Sequence, residues 1–186
     1  MKDIHDYTRV TDVFFPFSGL KDIDHQILQR AADRGTLVHN ICDAIIADIG
    51  IPSIPKEAKG YIKSFELWAT GKEFLPKPDR FFCDDLMLTG ECDGLYKEGD
   101  KIILFDLKTP AAESKTWPLQ GSAYCYLAEK EGIHIDRLEF VKLSKDGQEP
   151  IVFVYEYNFE MYLHCLHTYR YFFKHDHYWG APGEKL

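Results

Sequence analysis

The chain has 186 residues, 45% hydrophobic and 15% aromatic, a length and composition that suit one folded domain and exclude a disordered one. Thirty acidic residues against 22 basic ones give a net charge of −8, which excludes a protein held on a polyanion by bulk charge. A grip on nucleic acid would have to come from a local basic face, or from carboxylates whose charge a bound cation cancels.

No apolar run approaches the length of a membrane span, and the opening MKDIHDYTRV lacks the apolar core of a signal peptide. The expected address is the cytoplasm, with no membrane partner. Five cysteines (Cys42, Cys83, Cys92, Cys125, Cys165) are scattered singly, without C-x-x-C spacing. They read as reduced, mostly core thiols rather than a disulfide framework or a zinc ribbon.

Residues 1–20 read as an ordered lead-in ending near Gly19. The spacing of Ile23, Ile27, Leu28 and Ala31 predicts a helix from about Asp22 to Arg34. A second helix is predicted from about Thr36 to Ile49, with Val38, Ile41, Ile45 and Ile49 inward and Gly50 at its end. A third, from Lys56 to Thr70, carries Ala58, Ile62, Phe65 and Ala69 on one stripe and Lys56, Lys59 and Lys63 on nearly the opposite side. Those lysines are either a plain solvated face or a surface that follows phosphates.

Three strands are predicted next, Arg80–Cys83, Leu86–Tyr96 and Lys101–Lys108, joined by turn-rich separators as an antiparallel meander. A helix follows from about Trp117 to Lys130, with Pro118 in its first turn. Two strands, Arg137–Ser144 and Pro150–Tyr157, flank Lys145-Asp146-Gly147. A last helix runs from about Phe159 to Lys174. The order gives one mixed α/β domain over residues 1–186, with a central sheet of about five strands flanked by helices.

Charged residues stand in the predicted strands where packing prefers apolar ones. Alternation puts Asp106 and Lys108 on one face of the strand Lys101–Lys108, with Phe105 and Leu107 on the other. Glu91 and Asp93 share a face of the strand before it. The bland reading is a solvated strand end. The sharper one is a pocket in which Asp93 and Asp106 ionise together only with a cation between them. Oxygen ligands of this kind suit Mg²⁺ or Mn²⁺. Gln120 and Tyr124, four residues apart, share a helix face. His39 lies on the shoulder of its helix, near Cys42 and Ile46. Asp43, one turn on, reads as a solvated residue or as an orienting partner for His39.

Asp93 followed by Asp106-Leu107-Lys108 resembles the D…(D/E)xK signature of the PD-(D/E)xK nuclease superfamily. Arg34-Gly35-Thr36-Leu37-Val38-His39 resembles the G-x-x-x-H motif of its RecB-like branch, and Gln120-Gly121-Ser122-Ala123-Tyr124 its Q-x-x-x-Y motif. The match runs from residue 34 to 124 in the branch's order, and Thr109 fits the common D-x-K-T form. The lead-in resembles small phage or prophage exonucleases of the branch.

The resemblance implies a restriction-endonuclease-like core and a metal-dependent DNA exonuclease working in recombination, repair or phage DNA processing. It implies Asp93, Asp106, His39 and the Leu107 carbonyl as metal ligands, with Lys108 activating the attacking water. It implies Gln120, Tyr124 and Arg34 at the substrate, which would be single- or double-stranded DNA ends. An acidic residue often found earlier in the family has no clear equivalent in Asp79–Asp85, which leaves the metal number open. No iron–sulfur cluster is expected, since only Cys165 lies near the C-terminus. Trp117 is expected to pack the helix start rather than stack on a base, and the tail His175–Trp179 to lack a metal partner set. A homo-oligomer or a recombination partner protein stays open, as do RNA as substrate and a binding or assembly module of the same fold without useful turnover.

Overall fold

The computed structural model describes residues 3–17, 23–50 and 53–173. The predicted start at Asp22, the end at Lys174 and the tail His175–Trp179 lie outside the described residues. The lead-in holds two short 3-10 turns, Ile4–Asp6 and Asp12–Phe17, around a two-residue strand β1, Thr8–Arg9. It is therefore tied into a sheet rather than simply helical. No helix among the described residues is long and apolar enough to cross a membrane.

Two expected helices are one. α1 runs from His25 to Ile46, straight through Gly35. Its start is capped by Asp24, whose side chain accepts from the N–H groups of Gln26 and Ile27. A glycine inside a helix costs about 1 kcal/mol relative to alanine, which the burial of Val38, Ile41 and Cys42 on the following turns outweighs. The first half was misjudged as core: Ile23 and Ile27 are exposed. The helix also stops before Ile49, which is exposed too, because Asp48 turns into the left-handed region at φ 54°. α2, Lys59–Ala69, buries Ile62 and Phe65 as expected, with Ala58 buried at its cap.

The chain then forms β2 (Glu73–Phe74), β3 (Phe81–Cys83), β4 (Leu88–Gly90), β5 (Gly94–Glu98) and β6 (Lys101–Lys108). The single strand expected over Leu86–Tyr96 is broken at Glu91-Cys92-Asp93, and the expected meander is divided between two sheets. β4 pairs with β3 antiparallel and with β1 parallel, while β5 pairs with β2 and β6. α3 (Trp117–Lys130) matches its expected bounds. β7 (Arg137–Lys142), β8 (Ile151–Tyr155) and α4 (Phe159–Phe173) follow, the strands shorter than predicted.

The larger sheet has the order β2-β5-β6-β7-β8, with β6 and β7 parallel across the α3 crossover and the other pairs antiparallel. This is the expected mixed sheet of five strands flanked by helices. β6 lies at its centre, and Ile103 to Leu107 are all buried. Ile103, Phe105 and Leu107 face α1 and α2 in a core with Val38, Ile62, Phe65 and Trp68. Leu104 faces α3 and α4 in a second core with Ala123, Leu127, Phe140 and Leu166. Alternation therefore carries Asp106 and Lys108 to the α3 side. Gly121 lets α3 approach β7 closely, since a Cβ there would stand 2.4 Å from Leu138. All five cysteines are unpaired, and four of them are buried.

Candidate active site

β6 brings Asp106 to a position that is only 4% exposed. Lys108 Nζ stands 2.6 Å from Asp106 Oδ2. Apart from that ion pair, the buried oxygen accepts no hydrogen bond. Lys108 also donates to Gln120 Oε1 at 3.2 Å, and its ammonium lies over the Phe140 ring at 5.0 Å. Gln120 Nε2 donates to Tyr124 OH at 3.0 Å and reaches Asp106 Oδ1 at 3.5 Å, a weak contact. α3 thus supplies both members of the predicted Gln120–Tyr124 pair to the same carboxylate and lysine. Neither is at an amphipathic edge: both are buried.

The other half comes from α1 and the break between β4 and β5. Asp93 sits in the bend one residue before β5, not in a strand. Its Oδ2 accepts from the Leu107 N–H at 2.6 Å and its Oδ1 lies 2.8 Å from His39 Nδ1. Gly94 pairs with Phe105 across β5 and β6, which sets Asp93 alongside Asp106. Glycines bracket the bend because aromatic rings lie on its backbone. A Cβ on Gly94 would stand 2.6 Å from the Phe105 ring, and one on Gly90 would stand 2.8 Å from the Tyr124 ring.

The two carboxyls are driven apart in acidity. Burial pushes Asp106 up, Lys108 pulls it down, and the Asp93 charge pushes it up again, with a net rise. Burial also opposes ionisation of Asp93, but His39, Lys108 and the Leu107 N–H outweigh it and hold its carboxyl below the usual range. Burial pulls the His39 imidazolium down, and Asp93 by charge and hydrogen bond more than restores it, so its pKa is raised. Tyr124 is pushed well up by burial and by the Asp106 charge.

His39, Asp93, Asp106, Lys108, Gln120 and Tyr124 therefore form one network through Leu107. Two expected residues stand apart from it. Asp43 accepts from Lys77 Nζ at 2.7 Å instead of orienting His39. Glu91, just ahead of the bend, accepts from Arg80 at 2.6 Å and lies 3.7 Å from Lys77 rather than bonding to the network. Arg34 lines a neighbouring cleft with Thr109 and Lys142. Trp117 packs the helix start as expected, stacked on Phe140 with centroids 5.7 Å apart.

A cleft of about 490 Å³ opens over the His39–Asp93 pair, walled by Arg9, Thr36, Arg80, Glu91 and Tyr124. Arg9 was missed as a site residue. It comes from a two-residue strand too short to leave a periodic signal.

Among the described residues, no group of three or more His, Cys, Asp or Glu stands ready to hold a metal ion. His39 and Asp93 are engaged with each other. The donor types still fit a hard divalent cation: two carboxylates and an imidazole. The buried Asp106 Oδ2 accepts no hydrogen bond beyond its ion pair with Lys108, which leaves it acceptor capacity for such a cation.

No family model matches the chain, and no curated protein does. Two solved structures are similar over most of it. The alkaline exonuclease LHK-Exo from Laribacter hongkongensis shares 12% identity, covering 88% of this chain and 86% of its own, with a TM-score of 0.48. SSO0001 shares 12% identity, covering 90% of this chain and 74% of its own, with a TM-score of 0.43. Likeness at this level is a distant similarity of chain path and transfers no activity.

Proposed function

We propose that this chain is a Mg²⁺- or Mn²⁺-dependent deoxyribonuclease of PD-(D/E)xK type with a restriction-endonuclease-like core, acting as an exonuclease in recombination, repair or phage DNA processing. The observation that carries the reading is the buried Asp106 carboxylate, ion-paired with Lys108 and otherwise barely bonded, beside the Asp93–His39 pair. A buried, electrostatically perturbed cluster opening on a cleft is a signature of chemistry rather than of packing. The exonuclease step rests on resemblance to the RecB-like motif set.

Asp93, Asp106, His39 and the Leu107 carbonyl would hold the cation. When bound, it would lower the pKa of water and neutralise phosphate oxygens. Lys108 orients the attacking water and donates to the oxygens that gain charge as the phosphorus becomes five-coordinate. Gln120 keeps the lysine aimed through its Oε1 and holds Tyr124 through its amide nitrogen. The Asp93 carboxylate, fixed by the Leu107 N–H, keeps the bend registered against β6. His39 must release Asp93, or present its other ring nitrogen, before it can act as a ligand.

The test uses end-labelled single- and double-stranded DNA with Mg²⁺, Mn²⁺ or EDTA, beside Asp106→Ala and Lys108→Ala. Cleavage is expected only with a divalent cation and only in the unsubstituted protein. Cleavage that survives EDTA or both substitutions would overturn the mechanism. Binding without cleavage under every metal would favour an assembly module on the same fold.

A further inference from the structure

The cations of this acidic chain are not all spent alike. On the β4–β5 side of the site they are paired: Lys77 with Asp43, Arg80 with Glu91 and Arg9 with Asp12. On the opposite side, at the ends of β6 and β7, Arg34, Lys59, Lys63, Lys142 and Lys145 have no carboxylate partner among the described residues. Arg34 Nε is buried and has no hydrogen-bond partner at all.

Four of these residues meet at one cleft and the loop beside it, and Lys59 precedes Gly60, which abuts the Lys145 carbonyl. Arg34, Lys142 and Lys145 line a cleft of about 500 Å³ with Thr109 and Ser144, and Glu149 is its one acidic wall. The cleft begins one residue after Lys108, whose carbonyl accepts from the Leu143 N–H at 2.8 Å. α2 closes against it so tightly that a Cβ on Gly60 would overlap the Lys145 carbonyl at 1.7 Å. The Lys63 stem lies against Gly147, 2.9 Å from where a Cβ would be. Lys63 thus continues the rim of the cleft, and Lys59 lies one turn earlier on the same face of α2. Four cations gathered around one carboxylate, on a chain whose net charge is −8, are complementary to a polyanion.

We propose that this cleft and the Lys59–Lys63 face of α2 form the track on which non-scissile backbone phosphates of the substrate strand lie, with Arg34 Nε donating to one of them. The proposal rests on the nuclease reading for what the strand is doing there. It explains how an acidic protein grips nucleic acid: by phosphate contacts on one flank of Lys108 rather than by overall charge.

The test is binding of a fluorescein-labelled 12-nucleotide single strand, with Ca²⁺ in place of the catalytic metal, followed by anisotropy across a KCl series. Lys142→Ala/Lys145→Ala and Lys59→Ala/Lys63→Ala are compared with Lys77→Ala on the paired flank. Each double variant is expected to reduce the slope of log K against log[salt] by about 1.4, at about 0.7 per lost phosphate contact on a single strand. Lys77→Ala should leave the slope unchanged. Unchanged slopes in both double variants, with melting temperatures as in the parent, would overturn the track.

Oligonucleotides with and without a 5′-phosphate separate the two sources of a phosphate group. Equal slope changes support the backbone track, and a change confined to phosphorylated ends overturns it. Cleavage of the same strands in Mg²⁺ keeps the two readings apart. Slope changes without cleavage uphold the track and defeat the nuclease; cleavage with unchanged slopes does the reverse.

Discussion

The half of the site carried by β6 and α3 is built on regular elements, while the half carried by α1 and residues 91–93 depends on a bend. In the first, Asp106, Lys108, Gln120 and Tyr124 project from a central strand and a buried helix, and their spacing follows from strand and helix geometry. In the second, Asp93 holds position through its own side chain, bonded to the Leu107 N–H and to His39. In the first half one Asp106 oxygen is held only by the Lys108 charge, and in the second both Asp93 oxygens are hydrogen-bonded. On the proposed function, the two would divide the labour between a rigid reactive centre and a self-bonded arm that loosens to take a cation.

That division is open to attack by substitution. The largest effect is expected in the rigid half: Lys108→Ala should lower kcat by about 100- to 1,000-fold, the scale for losing a donor aimed at developing charge. Single-turnover cleavage of labelled DNA measures it, and a loss below about tenfold would remove Lys108 from the reacting centre. Asp93→Ala probes the other half through stability. It strands the Leu107 N–H in the interior and should cost about 1–3 kcal/mol, read from urea denaturation without metal. An unchanged midpoint would mean the bend does not depend on its carboxylate.

Gln120→Ala sharpens the comparison, because it frees Lys108 and Tyr124 while removing only a weak 3.5 Å contact to the proposed ligand Asp106. A loss of about 10- to 100-fold in activity is expected, with metal affinity less affected. The smallest effect is on pH. The His39 pKa is raised in the folded protein, so its pairing with Asp93 stabilises fully below the unfolded value of about 6.5. That contribution is lost as pH rises through the folded value. The depressed Asp93 carboxyl works in the opposite window, losing its contribution only as pH falls through its folded pKa. Without metal, then, stability should decline as pH rises above about 6.5, and His39→Ala should flatten the decline. The same titration frees His39 as a ligand, so Mn²⁺ affinity should rise over that range.

The regular half of the site was legible in the sequence, and the reason is physical. An apolar run ending in Asp106 and Lys108 declares a central strand with a polar exit, and Trp117-Pro118 ahead of Gln120 declares a helix start. Alternation and helical spacing then assign every side to a face. The bend was not legible. Leu86–Tyr96 has enough β-forming residues to read as one strand, and what interrupts it is two tertiary ring contacts at Gly90 and Gly94. α1 was split because Gly35 reads locally as a stop, whereas packing two turns later decides otherwise. β1 and β2, two residues each, exist only through their partners in β4 and β5.

β4 also receives Arg170 from α4, which donates to the carbonyls of Leu86 and Met87 just ahead of the strand and to Thr8 of β1. The small sheet that carries the approach to Asp93 is thus sewn from residues near both ends of the described chain. On the ribosome this sheet has to wait. A nascent chain can pair β5 with β6 early, but the clasp around β4 needs residue 170 clear of the exit tunnel. Trypsin digestion of chains stalled at increasing lengths should show the segment around Arg80 gaining protection last. Closure of the small sheet beside Asp93 would then be a late event of folding, postponed until α4 has emerged.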